Sequence, residues 1–354
     1  MSIPANSANT RALNLALQGG GAHGAFTWGV LDRLLEEQTL VIEGISGTSA
    51  GAMNAAVLAD GYEKGGRAQA REALRGFWRS MSLHGALNPY NSGPFGGWLP
   101  RSPLTLWFEA FAQWLSPYQL NPFNINPLRG VLEEMIDFDC LHRCRAIKLF
   151  LSATNVRTNR MRIFRSSELS VDALLASACL PQIHHAVEID GEYYWDGGFM
   201  GNPVLEPLVG QCDSPDILIV QINPIHREHV PRTAEEINDR VNEISFNSNL
   251  MREIRAIATA TRLLREGHIQ DPRYERVYFH LITDREVFER LGVHSKFDTS
   301  WHFLSRLCDA GRQRAEEWLA RHLDALGQRS TLDLAAWEPG HLPNPRAPSE
   351  HGAG

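Results

Sequence analysis

The pentapeptide Gly47-Thr48-Ser49-Ala50-Gly51 constrains this chain more than any other stretch. It fits G-x-S-x-G, follows the apolar segment Val41-Ile42-Glu43-Gly44-Ile45, and runs into the small, helix-compatible residues 52–58. Strand, sharp turn and helix in that order make a nucleophile elbow, a strained turn that lifts the serine oxygen above the sheet edge. Gly47 and Gly51 leave room where the strand and helix backbones nearly touch. Three fixed residues are a thin signal alone, so the surroundings carry the argument.

A second glycine cluster lies upstream. Residues 12–17 read as an apolar strand ending at Gln18. Gly19-Gly20-Gly21-Ala22-His23-Gly24 follows, and Phe26, Val30, Arg33 and Leu34 then recur at helical spacing. A glycine-rich loop between strand and helix aims N–H groups at one spot, beside the positive end of the helix dipole. That spot suits an anion, either a phosphate or the oxyanion of a tetrahedral acyl intermediate. Gly19, Gly21 and Gly24 also satisfy the dinucleotide fingerprint G-x-G-x-x-G, which expects an acidic residue about 20 positions on, at the end of the second strand. Glu43 has that spacing but lies inside its strand, and a dinucleotide site leaves Ser49 unexplained. An acyl-transfer site uses both loops at once.

An activated serine needs a base. Trp195-Asp196-Gly197-Gly198 follows a hairpin-like stretch, 187–194. An aspartate at a strand end, followed by two glycines, can approach a serine hydroxyl closely; taken alone, Asp-Gly-Gly reads as a turn. Glycine loop, G-x-S-x-G and Asp-Gly-Gly together resemble, in kind, order and spacing, the patatin-like phospholipase family of bacterial type. Ala176-Ser177-Ala178-Cys179-Leu180-Pro181 and Gly201-Asn202-Pro203 extend the resemblance, which covers residues 12 to about 210. It implies a Ser–Asp dyad, with Ser49 as nucleophile, Asp196 as general base and Gly20, Gly21 and Ala22 supplying the oxyanion N–H groups. Gly19, Gly24, Gly47, Gly51, Gly197 and Gly198 are the motif glycines. Where that family usually has Lys or Arg in the loop, this chain has His23, which if protonated would make the site pH-dependent. A Ser–His–Asp triad is the internal alternative. His280, His294 and His302 lie late enough, but none sits in a Gly-flanked loop, and packing or surface hydrogen bonding is the blander role for each.

Strand signals near 12–17, 40–45, 147–153, 161–164 and 217–222 alternate with helices, among them one capped by Ser170. The expected fold is therefore α/β, layered, with a central largely parallel sheet flanked by helices. The expected division is a catalytic domain over 12–225, a mostly helical C-terminal extension over 226–330 with one strand near 276–282, and a disordered tail over 338–354. At 43% hydrophobic residues in 354, core material is ample. No apolar run approaches the ~18 residues of a membrane span, and residues 1–10 carry no secretory pattern. Five cysteines without paired spacing suit a reducing compartment. A cytoplasmic protein is expected, with peripheral contact to a lipid surface. Cys140, His142 and Cys144 lack two further ligands for zinc, so no metal or organic cofactor is implied. A net charge of -7 argues against a nucleic-acid partner. Oligomeric state is not legible.

Two stretches speak to substrate. Residues 85–127 break the α/β rhythm with Pro, Gly and aromatic residues. Within them Ser102-Pro103 opens a helix and Ser116-Pro117 closes it, placing Leu104, Trp107, Phe108, Phe111 and Trp114 on one face. Such a helix is a lid, a bilayer contact or ordinary core. Arg252, Arg255, Arg262 and Arg265 form a stripe opposite Leu250, Ile254, Ile257 and Leu264, facing anionic head groups or simply water. The expected activity is serine acyl hydrolysis of lipid esters through an acyl-enzyme. The alternatives are a depolymerase or thioesterase on polyester or acyl-CoA, and a non-catalytic lipid-binding protein. If the aromatic helix meets lipid, replacing Trp107 and Trp114 by serine is expected to weaken liposome binding and hydrolysis of aggregated lipid while sparing a short soluble ester. Equal loss of both activities with unfolding would make the helix core.

Overall fold

Near-continuous apolar runs put β1 (Arg11–Leu17) and β2 (Leu40–Gly47) in the interior, as central parallel strands require. The computed structural model describes residues 10–86, 116–268, 270–274 and 276–334. Trp107, Phe111 and Trp114 of the aromatic insertion, and the tail 338–354, lie outside the described residues. Helix α1 (Gly24–Leu34) links β1 to β2, and α2 (Ala50–Ala86) follows β2 at once, broken where Gly65 and Gly66 leave helical geometry. Short helices α3 (Pro117–Leu120), α4 (Pro127–Met135) and α5 (Phe138–Arg143) lead to β3 (Lys148–Asn155) and β4 (Met161–Arg165). Then come α6 (Val171–Ser177), the hairpin β5 (Val187–Ile189) and β6 (Glu192–Asp196), α7 (Glu206–Gln211) and β7 (Asp216–Val220). Ser170 caps α6 as its sequence suggests, its hydroxyl accepting from Ala173 N–H at 3.1 Å. The C-terminal part is helical around one strand: α8 (Ala234–Arg265), β8 (Tyr278–Ile282), α9 (Arg285–Arg290) and α10 (Trp301–His322).

One sheet runs β5-β6-β3-β2-β1-β7-β8, with β4 paired to β3. The five strands from β3 to β8 along this order are parallel, and β4, β5 and β6 are antiparallel. The fold is thus the α/β arrangement expected, a largely parallel sheet between helices with a helical C-terminal part. Side chains alternate across the sheet. Leu13, Leu15, Leu17, Leu218 and Val220 pack beneath α1, α2 and α10, while Ala16, Ile217 and Ile219 face α7 and α8. On α8, Leu250, Ile254 and Ile257 are buried while Arg252 and Arg262 are exposed, the division its spacing indicates. No helix among the described residues is long and apolar enough to cross a membrane.

Strand β3 decides where the site forms. Its residues 150–154 pair with β4 on one edge, so β2, on 148–151, and β6, on 153–155, must share the other edge. β6 therefore takes over the edge where β2 turns away at Gly47. The end of β6 and the turn after β2 meet there.

Helix α10 crosses α1 at backbone contact distance. A Cβ on Gly29 would stand 1.9 Å from the Cys308 carbonyl oxygen, and one on Gly311 would stand 2.0 Å from that of Phe26. Beside the crossing, Arg71 of α2 and Arg312 of α10 both reach Asp32 of α1 and Glu36 just beyond its end. Gly311→Val is accordingly expected to lower stability by about 1–3 kcal/mol or more through overpacking. Urea unfolding measures this, and an unchanged midpoint would refute the tight crossing.

Candidate active site

Ser49 sits at the turn from β2 into α2 with φ of 53°, a strained value for a residue with a side chain. The close approach that enforces the turn is visible in its glycines. A Cβ on Gly47 would lie 2.7 Å from the Gly51 carbonyl oxygen, and one on Gly51 would lie 2.2 Å from that of Leu17. Ser49 is half-buried. Its N–H donates to Ser177 Oγ at 2.9 Å, so the serine of the Ala-Ser-Ala-Cys-Leu-Pro run steadies the elbow from the end of α6. Thr48 Oγ1 donates to the Gly201 carbonyl at 2.8 Å, and contacts Ser152 Oγ at 2.7 Å.

Asp196 ends β6, opposite Ala153 of β3, and is buried. Its carboxyl accepts from Gly198 N–H at 2.7 Å, and the Ser49 hydroxyl lies close enough to favour its ionised form. Burial pushes its pKa up to about 7, against the pull of the Gly198 bond, the neighbouring Ser49 hydroxyl and the Lys296 charge. The two following glycines serve packing rather than clearance for the serine. A Cβ on Gly197 would lie 2.3 Å from the Ser152 carbonyl oxygen, and one on Gly198 would lie 1.8 Å from the Phe246 ring.

The glycine loop abuts Ser49 directly, for a Cβ on Gly19 would meet Ser49 Cβ at 2.6 Å. Its first residue is held from both sides. Gly19 N–H donates to Asn202 Oδ1 at 2.6 Å, and the Gly19 carbonyl accepts from Asn223 Nδ2 at 2.7 Å. Gly21 takes φ of 59° and starts a single 3-10 turn to His23 that runs into α1. Gly20, Gly21 and Ala22 thus stand at the amino end of α1, where N–H groups lack intrahelical partners and an anion is favoured. Gly24 packs on the elbow, since a Cβ there would lie 2.7 Å from Ala50 Cβ.

His23 does not act as the pH-dependent charge its position suggests. It is buried, bonded through Nε2 to Ser295 Oγ at 2.7 Å, and burial together with the Lys296 charge drives its pKa down to about 3. It is neutral throughout the physiological range. Of the triad alternative's histidines, His280 is engaged elsewhere, between Asp216 and Thr331 at 2.9 Å from each, on β8. The residues near Ser49 that the sequence leaves unmarked are Asn223, Phe246, Asn247 and Lys296. A faint signal exists for one, since Glu243 and Asn247 continue the spacing of the buried Leu250 and Ile254 stripe. A cavity of about 570 Å³ lined by Cys212, Asp213, Ser214, Arg273 and Arg276 lies at the amino-terminal end of β7, away from Ser49.

Parallel sheet, serine elbow, buried aspartate and glycine loop at a helix start define an α/β protein with the layout of an acyl hydrolase. The family model for patatin-like phospholipase matches residues 15–209, more than half of the chain, and the chain belongs to that family. It is a family of lipid hydrolases. No curated protein sequence matches. Among solved structures the chain is similar to VipD from Legionella pneumophila, at 14% identity and a TM-score of 0.36, over 86% of this chain and 67% of that one. It is also similar to ExoU in complex with SpcU from the type III secretion system of Pseudomonas aeruginosa, at 15% identity and a TM-score of 0.31, over 87% of this chain and 52% of that one. The chain thus spans about two thirds of the first and half of the second.

The raised pKa of Asp196 makes a stability prediction. The fold favours the protonated carboxyl, so its contribution is complete below the ordinary value of 3.8 and is lost as pH rises through about 7. Asp196→Asn keeps the neutral shape at all pH. It is expected to raise the urea midpoint relative to the parent chain most at about pH 8.5 and clearly less at about pH 5. The reverse order would mean that the carboxylate, not the acid, is the stabilised form.

Proposed function

We propose that this chain is a serine acyl hydrolase that cleaves lipid esters, with Ser49 as nucleophile and Asp196 as general base. One observation carries the reading: a half-buried serine at a strained elbow stands beside a buried carboxyl whose pKa burial has raised to about 7. An ordinary carboxylate is a poor base for a hydroxyl, whereas one tuned toward neutrality matches the working pH. Asp196 accepts the proton as Ser49 Oγ bonds to the ester carbonyl carbon, and the N–H groups of Gly20, Gly21 and Ala22 receive the charge on the carbonyl oxygen. Collapse of that intermediate breaks the ester C–O bond. Asp196 hands its proton to the leaving alcohol, and the acyl group stays on Ser49. Water then enters, Asp196 takes its proton, and hydrolysis releases the fatty acid and restores the hydroxyl. Protein groups alone carry every step. Family membership supports a lipid ester as the substrate class.

A fluorophosphonate probe is expected to label the parent chain at one site and to leave Ser49→Ala unlabelled. Ester hydrolysis by Ser49→Ala should fall below about one part in a thousand, and by Asp196→Asn about 100-fold or more. kcat/KM should rise with pH through a midpoint near 7, where Asp196 loses its proton. An unlabelled parent chain would favour a lipid-binding protein. Preference for acyl-CoA or polyester in a substrate panel would keep the mechanism and change the substrate.

A further inference from the structure

Lys296 lies on a short turn, Val293–Phe297, outside the stretch that the family model matches. The turn rests on the glycine loop. A Cβ on Gly21 would stand 2.4 Å from the Lys296 carbonyl oxygen and 3.3 Å from its Cβ, and Ser295 next door bonds to His23. Two neighbours bracket the ammonium. It donates to Asn223 Oδ1 at 2.8 Å and stands 5.7 Å from the ring centre of Phe246. Each neighbour touches a glycine that adjoins one half of the Ser49–Asp196 pair. Asn223 holds the Gly19 carbonyl beside Ser49, and Phe246 packs on Gly198, whose N–H bonds to Asp196. The end of α9, just before the turn, is tied down by Arg227, which donates to the Leu291 carbonyl at 3.0 Å and to the Glu289 carbonyl.

We propose that Lys296 is the positioned cation of this site, holding Asn223 against the glycine loop and lending positive potential to the anionic forms of Asp196 and the acyl oxyanion. The proposal rests on the Ser49–Asp196 reading of the site. His23 cannot fill this role, because it is neutral. Burial lowers the pKa of Lys296 on balance, with Arg227 adding to it, while Glu243 and Asp239 of α8 and Asp196 of β6 pull the other way and favour its ammonium form. Glu243 is shared with Arg227 and Arg240. Lys296 in turn draws the Asp196 carboxyl downward, against the burial that raises it. Without that charge Asp196 would hold its proton to higher pH and would be available as a base only in more alkaline solution.

The test compares Lys296→Met and Lys296→Gln, which remove the charge, with Lys296→Arg, which keeps it. The Asp196 carboxyl is titrated by carbon-13 NMR, assigned through Asp196→Asn, in chains with matching circular dichroism and melting. Loss of the charge is expected to move its midpoint up by about one pH unit, the size of a unit charge acting across several ångströms of partly buried protein. The arginine variant should stay within about 0.3 of the parent. On a short soluble ester, kcat/KM at pH 7 should fall about tenfold or more in both neutral variants, with the acid limb moving by the same amount. An unmoved carboxyl titration in a folded neutral variant, or equal effects of methionine and arginine, would overturn the proposal. A shifted titration in chains that neither turn over ester nor take the fluorophosphonate would overturn the hydrolase reading instead, and leave the coupling of Lys296 to Asp196 standing.

Discussion

The buried side-chain amide of Gln18 is the fixed point on which the rest of this site depends. Its oxygen accepts from the N–H groups of Ile222 and Asn223, both at 3.0 Å, and from Asn223 Nδ2 at 3.1 Å. Its nitrogen donates to the Asn202 carbonyl at 3.2 Å and to Asn247 Oδ1 at 3.1 Å. The end of β1, the turn after β6, the segment after β7 and helix α8 therefore meet on one residue. Leaving such a buried amide unpaired costs about 1–3 kcal/mol, so these segments take up their places together or not at all. The glycine loop begins at the next residue. Its shape is thus imposed by chain far from it in sequence, and glycine, which has no preference of its own, accepts the imposition.

Asp196 illustrates a conflict between stability and chemistry. A buried carboxylate is costly, and the raised pKa is the measure of that cost. The same burial makes the group a better proton acceptor once it is ionised. The Gly198 N–H, the Ser49 hydroxyl and the Lys296 charge then keep ionisation within reach of neutral pH. More opposing charge would give a stabler but weaker base, and less would leave the proton in place. Functional groups held in disfavoured states of this kind are a common local exception to an otherwise consistent fold.

The sheet was legible because β1, β2, β3 and β7 are apolar runs bounded by turn residues, and local pattern suffices for buried strands. The elbow and the glycine loop were legible because close backbone approach demands glycine at fixed offsets. Asn223, Phe246 and Lys296 were not, since nothing in their own neighbourhoods distinguishes them. They come to the glycine loop and the Asp-Gly-Gly turn only because β7 pairs with β1 and α8 lies across the face that β7 helps to form. Position alone left the role of His23 open between a neutral and a charged imidazole. A histidine in a glycine loop suggests charge, but its environment comes from the Val293–Phe297 turn, and burial there abolishes the charge.

The shared edge of β3 has a consequence for how this architecture tolerates change. Ser49 and Asp196 belong to distant parts of the chain, yet their separation is set by two registers on one strand, Gly47 against Leu151 and Asp196 against Ala153. Everything spliced between the elbow and β6 can lengthen, shorten or be replaced without altering that distance, provided β3 and its two partners keep step. A slip of β6 by a single residue would be worse than any such insertion, because alternation would turn the carboxyl to the opposite side of the sheet. The arrangement works like a vernier, in which a rigid ruler of hydrogen bonds fixes two marks while the intervening chain remains available for diversification.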